Sequence, residues 1–337
     1  MALLFFDTAQ FGSAPEAGWD AGSANNRQTS GGPFNDGYTF TNAMARTLGV
    51  NAATVTIGYW WKPQNGVAIT HWDLVETATV QCRIAHTASN QLTLRNGTAG
   101  TIHITSGTNL NGVWHYVEWK IPLGNSVNVE LRIDGGASVG GLTYTASSVD
   151  TTTTANNYIT SIRDAQGGNS NTQNWSMFHI ADATGTGITD FIGPTKGYFL
   201  GPSADGNYTQ WAASAGTRWQ AVDDWLAFAG SDSDSTYISD NTVGHKNSVA
   251  LANTVAGLGT IYGLVHSYNH RRDDAGPHTV RGFLRSSGTD QNGTTQTCGT
   301  SYAGWAEFYE FSPFTGGSTR WTTAEVDGLE SGVEVIT

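Results

Sequence analysis

The stretch Asn111-Gly-Val-Trp-His-Tyr-Val-Glu-Trp-Lys-Ile121, with Ser126-Val-Asn-Val-Glu-Leu-Arg-Ile133 and the turn Asp134-Gly135-Gly136 after it, decides the fold. Val127, Val129, Leu131 and Ile133 alternate with Asn128, Glu130 and Arg132. A period of two marks a strand with one dry face and one wet face. The Asp-Gly step supplies the positive φ of a tight hairpin. The region therefore reads as consecutive antiparallel strands of a β-sandwich.

Outward from it, strand patterning recurs over residues 3–6, 54–61, 67–72, 79–84, 92–95, 101–105 and 177–180. Asn-Gly steps at Asn65, Asn96 and Asn111 stand between several of these as hairpin signals. Residues 8–36 have few apolar anchors and read as a long surface loop, and residues 149–157 and 164–174 read as loops. A fresh pattern after residues 184–194 places a boundary between domains 1–190 and 191–337. In the second half, strands are expected over 219–225, 246–251, 260–269, 279–286 and 302–311, with 271–276 as a hairpin loop. Thr322-x-x-Glu325 forms a capping box, so a short helix carrying Val326 and Leu329 is expected to run until Gly332 stops it. The fold class is all-β, two β-sandwich domains with one short C-terminal helix.

Composition narrows the function. Charged residues make up 13% of the 337 residues and the formal net charge is −12. Nucleic-acid binding relies on clustered Lys and Arg, so no nucleic-acid partner is expected. The adjacent pair Arg271-Arg272 runs straight into Asp273-Asp274 and reads as a local salt-linked turn. No window reaches the ~20 apolar residues of a membrane span, and Met1–Phe6 carries no basic leader. The expectation is a protein made in the cytoplasm, without membrane insertion or a signal peptide. Cys82 and Cys298 fit no metal spacing and read as buried free thiols.

Catalytic chemistry finds no support. A glycoside hydrolase needs two carboxylates about 5–10 Å apart, yet Glu307 and Glu310 fall on opposite faces of a strand. Asp223-Asp224 also diverge, and Glu118 and Glu130 read as lone charges on exposed faces. His266, Tyr268 and His270 share a strand face, but residues four apart in a strand lie roughly 13 Å apart, too far to share one ion. Asp232-x-Asp234 has a superficial calcium-loop spacing without the central Gly or late Glu of an EF-hand, so Ca²⁺ is a weak candidate and otherwise no cofactor is expected. Among the twelve tryptophans, Trp60, Trp61, Trp72, Trp114 and Trp119 lie in strands. One of an adjacent pair must leave the core, which makes these five the candidates for a sugar-stacking platform or a subunit contact.

The segments WHYVEWKI (114–121) and VNVELRIDGG (127–136) resemble the concanavalin A-like or LamG-like jelly roll. A closer resemblance spans nearly the whole chain. MALLFFD (1–7), FHIADATGTGITDFIGP (178–194), GNYTQWAASAGTRWQAVDD (206–224), SDSDSTYISDNTVGHKNSVAL (231–251), RRDDAGPHTVRGFLRSSGTD (271–290) and TTAEVDGLESGVEV (322–335) carry it. They resemble a family of tailed-bacteriophage and prophage structural proteins. The chain departs from it between residues 25 and 51, where a Gly-Arg-x-Gly-Gly approach is common and SGGPFNDGYTF (30–40) stands here.

The resemblance implies a non-enzymatic virion component, associated with tail, tail fibre or neck, whose partners are other virion proteins. It brings no catalytic residues. A low-charge surface suits burial in symmetric contacts, so homo-oligomerisation is expected. The first domain is expected to face outward or toward a ligand, including host-surface glycans, and the second to engage virion partners or other copies. Capsid decoration is the rival placement, and a carbohydrate-binding or carbohydrate-cleaving protein is the rival class.

Overall fold

The computed structural model describes residues 3–7, 26–28, 37–40, 45–63, 68–107, 110, 112–164, 173–183, 187–223 and 234–337. The chain is all-β and divides into two compact units, Met1–Gly197 and Tyr198–Thr337. The division falls seven residues beyond the expected boundary at 190, because residues 191–197 are hydrogen-bonded into the first unit.

The first unit is a sandwich of two antiparallel sheets. One has eight strands, in the order β12 (Leu142–Val149), β11 (Val127–Ile133), β10 (His115–Pro122), β5 (Thr54–Lys62), β14 (Gln173–Asp182), β3 (Gly37–Phe40) and β2 (Asn26–Gln28), with β1 (Leu3–Asp7) also paired to β14. The other has six, in the order β4 (Ala45–Ala52), β13 (Ile159–Asp164), β6 (Ile69–Glu76), β7 (Thr79–His86), β8 (Leu92–Asn96) and β9 (Ile102–Thr105). The opening stretch behaves as its pattern dictates: Val129, Leu131 and Ile133 are buried while Asn128 is exposed. Its turn is longer than the expected tight hairpin. Asp134 and Gly135 do take positive φ, but a 3-10 turn at Ala137–Val139 separates β11 from β12.

Aromatic rings fill the space between these sheets. Tyr59 packs against Trp72, Trp175 and Phe178, and Trp61 packs against His71 and His86. The β6–β7 register slips between Thr70 and Trp72, so both His71 and Trp72 face inward. Two polar contacts are buried there: His71 Nε2 lies 2.6 Å from His86 Nδ1, and its Nδ1 lies 3.1 Å from the Tyr59 hydroxyl. On β6, buried Asp73 takes a bidentate contact from Arg83 of β7, at 2.6 and 2.9 Å, and a longer one from Arg163 of β13. One carboxylate thus ties three neighbouring strands.

In the second unit a five-stranded sheet runs β15 (Pro202–Thr209), β18 (Lys246–Leu251), β23 (Glu330–Val335), β20 (His278–Ser286) and β21 (Thr289–Cys298). The ladder of β19 (Leu264–His270) with β22 (Ala303–Tyr309), and the short pair β16 (Ala212–Ala213) with β17 (Ile238–Ser239), complete it. Tyr268 of β19 reaches the large sheet, where its hydroxyl accepts from Gly282 N at 3.1 Å. Both cysteines are free and buried.

Several expectations fail here for identifiable reasons. Residues 271–276 are not a hairpin loop: β19 pairs β22 while β20 pairs β21 and β23, so this segment crosses between sheets. Of the strand expected over 219–225, Gln220–Val222 form a 3-10 turn, and residues 224 and 225 lie outside the described residues. The C-terminal helix α1 (Thr323–Asp327) is capped by the Thr322 side chain as expected but ends at Gly328. Gly332 is instead the middle of β23, where the Phe283 ring occupies the space a side chain would need.

That close approach yields a test. Gly332→Ala forces its methyl into the fully buried Phe283 ring and is expected to destabilise the chain by about 1–3 kcal/mol. Gly328→Ala, whose methyl meets its neighbours at an ordinary 3.5 Å, is expected to stay within about 0.5 kcal/mol. Denaturant titration of the two variants beside the parent measures the difference.

Candidate functional site

Period-2 alternation assigns the outer face of the eight-stranded sheet. Tyr116 stands opposite Trp60, Glu118 opposite Gly58 and Lys120 opposite Thr56, so these side chains share a face. From the other edge of β5, β14 brings His179 opposite Gly58. A bulge makes this alignment: the register slips between Ser176 and His179, and Met177 adopts φ 53°. Trp175 and Phe178 then both pack on Tyr59 while His179 emerges on the outer side. Any side chain at position 58 would collide with the His179 ring and the Tyr116 hydroxyl, so the central strand needs glycine here.

Residues 187–197 cross this face as an irregular strap. Ile192 N donates to Glu118 Oε1 at 2.7 Å and Gly193 N to Oε2 at 3.1 Å. Trp60 Nε1 donates to the Thr195 carbonyl at 2.8 Å, and Gly197 N donates to Met177 Sδ at 3.1 Å. The Arg132 guanidinium lies 3.9 Å from the Phe191 ring centroid, and Lys120 pairs with Asp190 at 3.1 Å.

Glu118 is fully buried, which corrects its reading as a lone exposed charge. Burial pushes its carboxyl up to about 7, against the opposing pull of the two strap N–H groups and Arg132 and with a small further push from Asp190. Burial also takes His179 down to about 3, so its imidazole is neutral near pH 7, with Nε2 3.9 Å from Glu118 Oε1. A carboxyl poised near neutrality beside a histidine has the electrostatics of a general acid or base. Its geometry is that of a fastening, since both oxygens accept backbone N–H groups and no solvent reaches them.

The five candidate tryptophans separate cleanly. Trp61, Trp72 and Trp119 are core residues with at most 1% exposure and present no platform to a ligand or subunit. Trp60 does leave the core as its adjacent position demands, yet its indole N–H is held by the strap. Trp114 is half-buried ahead of β10. Of the calcium candidates, Asp232 lies outside the described residues, and Asp234 Oδ1 accepts from the Arg271 guanidinium and from the Tyr302 hydroxyl. His266, Tyr268 and His270 do share a face, with successive ring centroids 5.7 and 5.6 Å apart. Among the described residues no three His, Cys, Asp or Glu gather as a metal-holding group.

The second unit holds a cleft of about 330 Å³ between its five-stranded sheet and the β19 and β17 segments. Trp211, Val249, Val280 and Tyr268 wall it, and Tyr237, Arg271 and Tyr302 stand at its polar rim. Sequence reasoning missed this site because its walls come from strands far apart in the chain.

No protein-family model and no curated protein matches the chain. Among solved structures, the CBM2 module of the evolved Dit of Lactobacillus casei BL23 phage J-1 is similar at 13% identity, covering 54% of this chain and 95% of that one, with TM-score 0.33. The galectin LEC-6 of Caenorhabditis elegans is similar at 9% identity over 42% of this chain and 94% of that one, with TM-score 0.29. A mutant Trypanosoma rangeli sialidase with trans-sialidase activity is similar at 9% identity over 43% of this chain, with TM-score 0.30, and the match spans 25% of the sialidase.

Burial of Glu118 sets a pH dependence. Its carboxyl titrates near 7 when buried and near 4.5 when exposed, so the folded state holds the proton more tightly. The stability this confers is fully present below about pH 4.5 and is lost as pH rises through about 7, a loss of roughly 3 kcal/mol. Glu118→Gln is expected to remove this contribution, read as the difference between parent and variant unfolding free energies across pH 4.5 to 8.

Proposed function

We propose that this chain is a non-enzymatic structural component of a tailed-bacteriophage virion, associated with tail, tail fibre or neck, that also contacts host-surface glycans. The closed outer face of the first unit carries the structural half of this reading. A catalytic centre needs reacting groups that substrate can reach. Here Glu118 and His179 lie under the chain's own strap and Trp60 is hydrogen-bonded to it, so this face acts as a rigid building surface. The phage-protein resemblance, carried mainly by the second half of the chain, supplies the virion setting. Among the described residues no helix is long and apolar enough to cross a membrane.

Edge chemistry agrees with an assembled role. β12 and β21 close their sheets with Thr, Ser, Asn and Gln, and their outer residues are largely exposed. Such edges stay soluble alone and still offer backbone groups to a specific neighbour. The glycan half of the reading rests on the second unit's cleft.

Cryo-EM of assembled particles tests the placement. Density for two all-β units at the tail, fibre or neck, in a few dozen copies or fewer, is expected. Hundreds of copies on the capsid would replace this placement with decoration, and absence from purified particles would overturn the virion reading. Release of reducing ends from host polysaccharide by the purified chain would overturn the non-enzymatic half.

A further inference from the structure

We infer that the second-unit cleft is a binding site for one neutral pyranose residue, seated between the Tyr237 and Tyr302 mouth and the Asn247 carboxamide. This deepens the glycan contact of the proposed function and rests on that part of it.

The strongest observation is Asn247. It belongs to the inward face of β18 with Val249 and Leu251, all three lining the cleft, and it is 1% exposed. Its Oδ1 has no hydrogen-bond partner among the described residues. An unpaired buried acceptor costs about 1–3 kcal/mol, and such a group in a native fold calls for an explanation. A ligand hydroxyl donating to Oδ1 supplies one. Arg272, also at the cleft, spends its Nη1 on the Asp274 and Gly276 carbonyls and leaves its buried Nε without a partner among the described residues.

Shape and charge then select the ligand. At about 330 Å³ the cleft stands at the small end of the roughly 300–1,000 Å³ typical of small-molecule sites, which suits a single ring. Trp211 and Tyr268 offer aromatic surface within, and Tyr237 and Tyr302, 42% and 38% exposed, offer it at the mouth. Aromatic faces match the C–H face of a pyranose, while its hydroxyls need both donors and acceptors. The rim holds Arg271 and Arg272 against Asp240, Asp273 and Asp274, and Arg271 is already paired with Asp234. An anionic sugar would meet no net positive charge, so a neutral one is favoured. A purely apolar ligand would leave Asn247 Oδ1 unpaired.

The test uses the full chain and calorimetry or saturation-transfer NMR. The probes are glucose, galactose, mannose, N-acetylglucosamine, glucuronate, galacturonate and octanoate. At least one neutral sugar is expected to bind with Kd on the order of 1 mM or tighter, and its uronate at least about tenfold more weakly. Tyr237→Ala, at the exposed rim, and Asn247→Leu are each expected to weaken binding by about tenfold or more. Asn247→Leu is also expected to hold or raise Tm, because it removes an unsatisfied buried group. Tight octanoate binding without sugar binding, or neutral-sugar binding that neither variant alters, would overturn the proposal. Loss of sugar binding in Trp114→Ala with Tyr237→Ala unaffected would move the site to the first unit while leaving glycan contact intact. Failure of every sugar on the panel would remove both, and the particle experiment reports separately on the virion reading.

Discussion

One extra residue in β14 governs the first unit. Without the slip at Met177, strict alternation would put Phe178 and Trp175 on opposite faces, and the Tyr59 ring would lose one of the two partners that β14 gives it. The bulge keeps both aromatics inside and turns His179 onto the outer surface of β5, where only a glycine leaves room for it. Tyr116 and Glu118 from β10 meet it there, and the strap closes over all three. Core packing and face chemistry are consequences of the same local insertion.

Sequence pattern revealed the parts of the fold in which one face is dry. β5, β7, β8, β10, β11, β18 and β20 bury alternating or continuous apolar runs and were legible for that reason. β12 and β21 carry no such mark. Their residues, LTYTASSV and TDQNGTTQTC, lie on sheet edges and bury little, so no hydrophobic period marks them. β23 was hidden differently, since the capping box at Thr322 correctly announced a helix and Gly332 was then read as its stop. A central strand containing glycine makes sense only once the Phe283 ring lies against it.

Site residues were less legible, because their roles depend on segments distant in sequence. Nothing near Glu118 announces that residues 192 and 193, some seventy positions later, offer it backbone N–H groups. His71 and His86 looked unremarkable singly and form a pair only through the β6–β7 register. Alternation requires one of Trp60 and Trp61 to leave the core, and Trp60 does, but it cannot foresee a covering strap.

The strap also has a mechanical meaning. It is the last segment of the first unit before the chain continues into the second at Tyr198. Tension along the backbone between the units therefore loads the strap before it reaches β14. The fastenings of Gly197 to Met177, Thr195 to Trp60, and Ile192 and Gly193 to Glu118 lie in succession along that path. They would yield one after another, and the length released would take up strain while the sandwich behind it stayed closed.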